Sequence, residues 1–121
     1  MCMVYEALRN MLAYLAASEV YGPLDRLARA ADKEAVSIAL YEALRYISTE
    51  VKKCIEGEKG KRRLSEDDVK LCEVLKELTN MSIPDEEIAA FLRDVDKKGV
   101  SIAKRLASEA LAYGLRRRVL G

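Results

Sequence analysis

DKEAVSIALYEALRYISTEV, Asp32 to Val51, carries Val36, Ala39, Leu40, Ala43, Leu44, Ile47 and Val51 at intervals of three and four, so one side of a helix is apolar along the whole stretch. Asp32 is suited to cap its first turn. No segment of useful length alternates apolar and polar residues, and a chain built from such helices is all-α: a compact domain of five to six helices. The opening phrase, DKEAVSIA at Asp32–Ala39, returns as DKKGVSIA at Asp96–Ala103, identical at six of eight positions. A Pro-containing apolar segment precedes each copy, GPLDRLARAA at Gly22–Ala31 and IPDEEIAAFLRDV at Ile83–Val95, and amphipathic stretches at Val4–Ala17 and Val69–Leu78 lie upstream again. The pattern predicts two pseudo-repeated three-helix units, residues 3–55 and 65–118, joined by a linker at 56–63 within one domain over 1–121.

Outward from the long helix, Val4, Ala7, Leu8, Met11, Leu12 and Leu15 make a wide apolar stripe that ends at Gly22-Pro23. Pro23 suits the first turn of a short helix to about Ala31, and the long helix after it is the expected spine of the first half. EGEKGKRR, Glu56–Arg63, reads as a solvated linker. Ser65 followed by Glu66, Asp67 and Asp68 is a helix start, with Asp68 where a capping box has Glu or Gln. Val69, Cys72, Leu75 and Leu78 give that helix its stripe; a short helix from Ser82–Pro84 carries Ile88, Phe91, Leu92 and Val95; a last one runs from about Gly99 to Arg118.

The chain has 121 residues, half of them apolar and a third charged, with a net charge of +1. That is one globular domain able to bury a core. The longest uninterrupted apolar run, Met11–Ala17, is far short of the roughly 20 residues that cross a bilayer. Glu6 and Arg9 interrupt the place of a secretory apolar region, so a cytoplasmic, intracellular protein is expected, with no membrane partner. Gln is absent, Asn occurs only at Asn10 and Asn80, and charge is abundant, a pattern of heat-adapted proteins. Cys2, Cys54 and Cys72 are odd in number and never spaced as CxxC. They read as reduced residues, with Cys54 and Cys72 in the core, and predict neither a disulfide nor a zinc site.

Catalysis finds little to work with. There is no His, which removes the commonest proton shuttle and the triads built on it, and the Arg-and-His signature of HEPN-type nucleases is absent. The acidic pairs Asp67 with Asp68, Glu86 with Glu87, and Asp94 with Asp96 offer carboxylates to a divalent cation, but two of these groups sit at helix starts, where acids are expected for the dipole alone. No phosphate-cradling glycine loop is present. The expectation is a protein without enzyme activity, metal or cofactor.

Charge is distributed unevenly. Residues 64–96 hold three basic and ten acidic side chains, a net of −7, whereas residues 97–121 hold seven basic and one acidic, a net of +6. Lys97, Lys98, Lys104 and Arg105 gather at the front of the last helix and Arg116, Arg117 and Arg118 at its end. Guanidinium and ammonium groups in such numbers suit phosphate oxygens. A short helix followed by a longer one resembles a helix-turn-helix. Counted from Leu24, the motif's apolar or small positions fall on Leu27, Ala28, Ala31, Ile38 and Tyr41, although Asp32 replaces the usual turn Gly and Lys33 an apolar residue. The second unit is similar to the last two helices of a winged-helix core, with a longer turn. That resemblance implies DNA more readily than RNA as partner, reached through the seven basic residues of the C-terminal helix. The other reading is a helical adaptor or small structural subunit of a larger nucleoprotein or viral assembly, its acidic and basic faces docking on partners; in either case the chain is a candidate homodimer.

Overall fold

The computed structural model describes residues 3–80 and 85–118. They form five helices: α1 at Met3–Ala17, α2 at Gly22–Arg29, α3 at Lys33–Glu58, α4 at Glu66–Leu78 and α5 at Asp85–Leu115. Among the described residues there is no strand. Within α5, Lys98 leaves helical geometry (φ −131°, ψ 28°) next to Gly99, so α5 is two helical pieces joined at a kink. This is where the repeated DK phrase predicts a boundary. Its first copy breaks the chain fully, with the Asp32 carboxylate accepting from the Ala35 N–H at 2.8 Å. The Ser82–Pro84 start signal and Cys2 lie outside the described residues, as do the side chains of Ile88, Phe91 and Leu92.

Local chemistry sets the helix ends. Pro23 sits in the first turn of α2. Ser65 caps α4 through its hydroxyl, which accepts from the Asp68 N–H at 3.1 Å, while the Asp68 carboxylate accepts from the Ser65 N–H. Helix α3 ends on a Schellman turn with Gly60 left-handed at φ +72°; the Lys61 N–H reaches Glu56 O and the Gly60 N–H reaches Gly57 O. Helix α1 ends the same way with Glu19 in the left-handed position, φ +62°. Helix α5 stops at Leu115, three residues before the expected Arg118, and a turn carries the chain on.

Helix α1 is buried on more sides than α3. Leu12 to Ala17 are buried without a break, and Val4, Tyr5 and Ala7 join them. This follows from the run MLAYLAA, apolar on every side, which requires neighbours all round. Helix α5 lies along α1 at its closest where Gly114 meets Ala13 and Ala16; a Cβ on Gly114 would stand 2.2 Å from the Ala13 carbonyl oxygen. Helices α2, α3 and α4 close the remaining sides, and Leu24, Leu27, Val36, Ile47, Leu75, Leu78 and Leu106 complete the core. Helix α3 buries one face, Val36, Ala39, Ala43 and Ile47.

Cys54 and Cys72 are bonded to each other as a disulfide, which overturns the reading of them as reduced core residues. Both are only half-buried. The end of α3 and the second turn of α4 come together after the linker folds back, and their Cα atoms stand 5.7 Å apart, inside the span a disulfide bridges. Beside the bond, the Lys53 ammonium donates to the Asp68 carboxylate at 2.9 Å and holds that carboxyl below its ordinary range. Among the described residues no helix is long and apolar enough to cross a membrane.

Candidate nucleic-acid interface

The seven basic residues do not form one patch. Lys98 is the kink residue and Lys97 precedes it, Lys104 and Arg105 lie two turns on, and Arg116–Arg118 follow the end of α5. At 1.5 Å per residue, roughly 27 Å of helix separates Lys98 from Arg116. The two groups also differ in what surrounds them.

Three of the four arginines, Arg105, Arg117 and Arg118, are engaged within the chain. Arg105 donates to Glu109 at 3.1 Å, and its guanidinium covers the Tyr5 ring at 4.8 Å. The Tyr5 hydroxyl donates to the same Glu109 at 2.7 Å. That hydrogen bond, reinforced by Arg105, keeps the Glu109 carboxyl low, while burial and Glu109 push the Tyr5 hydroxyl up to about 12. One turn along, Arg9 and Arg117 both lie within cation–π distance of the Tyr113 ring, at 4.9 and 5.0 Å. Arg117 also donates to the Tyr113 hydroxyl at 3.1 Å and pairs with Glu77 of α4. Arg118 pairs with Glu19, the residue in the left-handed position at the end of α1. Positions 105, 109 and 113 of α5, with 117 in the turn just past its end, thus form a polar seam against Tyr5 and Arg9 of α1.

The lysines stand apart. Among the described residues Lys97, Lys98, Lys104 and also Arg116 are exposed and make no ion pair. Lys104 borders a cleft of about 400 Å³ between α2 and α5 that Tyr21, Leu24 and Leu111 line. Next to the kink, Asp96 pairs with Lys33, so the two DK phrases of the repeat meet in space.

Two features escaped the reading of the sequence. Arg9 belongs to the α5 seam although it lies on α1, and only the packing of the two helices brings it there. The turn after α3 exposes Lys59, Lys61, Arg62 and Arg63, none of them in an ion pair among the described residues; the signal is the basic run KGKRR inside the expected linker. The helix-turn-helix template is not met in α2–α3. Leu27 is buried, but Ala31, Ile38 and Tyr41, which the motif places inside, are exposed, the last two at 62% and 65%. Of the six acids in those pairs, Asp68 closes the capping box and holds Lys53, and Asp96 holds Lys33; the Glu87 side chain lies outside the described residues. Among the described residues no group of three or more side chains is placed to hold a metal.

The model of the family described as CRISPR-associated protein (Cas_Csa5) matches residues 11–114, from the middle of α1 to the close approach at Gly114. No curated protein and no solved structure matches the chain.

Proposed function

The chain belongs to the CRISPR-associated protein (Cas_Csa5) family, and from that premise we propose that it is a non-catalytic helical subunit of a CRISPR nucleoprotein complex that acts inside the cell. The observation that carries this reading is the internal pairing of Arg117 with Glu77 and of Arg118 with Glu19. A free-standing DNA-binding helix would present those guanidiniums to phosphate. Here they tie the end of α5 to α4 and α1, as suits a rigid part seated among other subunits.

Nucleic acid, with DNA ahead of RNA, is the second element of the proposal. Lys97, Lys98 and Lys104 are open to a phosphate backbone, whereas Arg105, Arg117 and Arg118 would have to exchange a carboxylate for it; Arg116 completes the set. Such a surface adds a sequence-independent contact to whatever base pairing a guide strand supplies. The two-unit organisation belongs to the proposal too: Ala39 and Ala103, which match in the repeated phrase, are both buried, with Val36 buried and Val100 half-buried. Co-expression with the CRISPR-associated proteins and guide RNA of its own locus tests the assignment. The chain should co-purify with the guide-containing particle. A chain that stays in the free fraction while the particle assembles without it contradicts the reading.

A further inference from the structure

The outward face of α3 carries a second periodic pattern, separate from the one that packs the core. Glu34, Ile38, Tyr41, Arg45, Ser48 and Lys52 alternate steps of four and three, the spacing of a coiled-coil seam, and all six are exposed. Ile38 at 62% and Tyr41 at 65% are the most exposed of the large apolar side chains described. Glu34, Arg45 and Lys52 make no ion pair within the chain among the described residues. Val36, Ala39, Ala43 and Ile47 point the other way, into the core.

We propose that this face docks a second copy of the chain, the two α3 helices running antiparallel about a two-fold axis that passes at the level of Ala43. The sequence of the seam selects that arrangement. Reversed and centred on residue 43, it falls on itself with the same alternation of steps, so every layer stays in register. Glu34 then opposes Lys52 of the second copy, Ile38 opposes its Ser48, and Tyr41 lies beneath its Arg45; the two-fold repeats each contact. Opposite charges meet at both ends and a guanidinium covers a ring twice at the centre. A parallel pairing in register would set Glu34 on Glu34, Arg45 on Arg45 and Lys52 on Lys52, three like-charge layers. The seam is about 27 Å long, so the area buried is on the order of 1,000 Å² in total, the low end of specific interfaces and the range of a weak, reversible dimer. This inference stands apart from the nucleoprotein reading and survives or fails without it.

Sedimentation velocity at low ionic strength over a wide range of protein concentration tests it. Wild type should pass from monomer to dimer and stop there. Glu34→Lys and Lys52→Glu, each folded by far-UV circular dichroism, should each weaken self-association at least about tenfold, because like charges then face each other twice. An equimolar mixture of the two variants should dimerise again, since each supplies the charge the other lost. The same holds for a chain carrying both changes. A wild type that stays monomeric, assembly that continues past the dimer, single variants that associate like wild type, or a mixture that stays monomeric would each overturn the proposal.

Discussion

Arg117, just past the end of α5, pairs with Glu77 of α4 while its guanidinium covers the ring of Tyr113. The pair joins residues 40 positions apart and fixes the exit of the last helix against the fourth. Because the carboxylate is largely exposed, the ion pair alone is worth at most about 1 kcal/mol, and the ring contact adds about as much again. A double-mutant cycle of Arg117→Ala and Glu77→Ala should give a coupling of about 0.5–1 kcal/mol in chemical denaturation. Additive effects would show that the pair does not form in solution.

The disulfide should respond to reductant. Joining Cys54 to Cys72 closes a loop of 18 residues' separation, for which chain entropy predicts about 3 kcal/mol of stabilisation. Reduction, or Cys54→Ser with Cys72→Ser, should lower the thermal midpoint by roughly 10 °C or more. An unchanged midpoint would return these residues to the reduced state that their spacing alone suggested.

Alkali should unfold the protein earlier than its charge balance implies. Burial, then Glu109, pushes Tyr5 up to about 12, and burial, then Glu50, raises Tyr14 as well. An unfolded chain releases these protons near pH 10. The stabilisation is therefore complete below about pH 10 and is lost as pH rises toward 12, with a slope of about 1.4 kcal/mol per pH unit for each tyrosine. Tyr5→Phe should flatten the alkaline limb of stability against pH; an unaltered limb would mean that Tyr5 titrates normally. On the acid side the signs reverse. Glu109, held low by Tyr5 and then Arg105, and Asp68, held low by Lys53, contribute above about pH 4 and lose that contribution as pH falls further.

Gly114→Ala should be the most damaging single-methyl change on α5. The new Cβ would meet the Ala13 carbonyl at 2.2 Å and the Ala16 Cβ at 2.6 Å, and neither can swing away as a flexible side chain could. A loss of at least about 2 kcal/mol in urea unfolding is expected. A loss below about 0.5 kcal/mol would mean that α1 and α5 do not approach so closely.

What was legible in the sequence is what neighbours along the chain decide. Asp32, Pro23 and the Ser65–Asp68 box mark helix starts through contacts within four residues, and the kink at Lys98 falls where the second DKxxVSIA phrase predicts a boundary. The disulfide was not legible, because it depends on α3 and α4 folding back side by side. The ion pairs of Arg117 and Arg118 were not legible either, because Glu77 comes from α4 and Glu19 from the turn after α1. A helix-turn-helix template places Ile38 and Tyr41 inside, yet they lie off the stripe through Val36, Ala39, Ala43 and Ile47, and the core takes only that stripe. The deep burial of α1 is legible in MLAYLAA, apolar on every side, whereas the length of α3 says nothing of how much of it is buried.

If nucleic acid meets the lysines that make no ion pair among the described residues, rather than the partnered arginines, their removal governs the salt dependence of binding. Binding of labelled duplex and single-stranded DNA is measured across a salt series for wild type, for Lys97, Lys98 and Lys104 changed together to Ala, and for Arg116, Arg117 and Arg118 changed together to Ala. The lysine variant should lose up to roughly three from the slope of log K against log salt on duplex, and the arginine variant about one, since Arg117 and Arg118 are held by carboxylates and Arg116 pairs with none among the described residues. Loss of binding in the arginine variant with the lysine variant unchanged, or a wild type with no salt-dependent binding, would contradict the account.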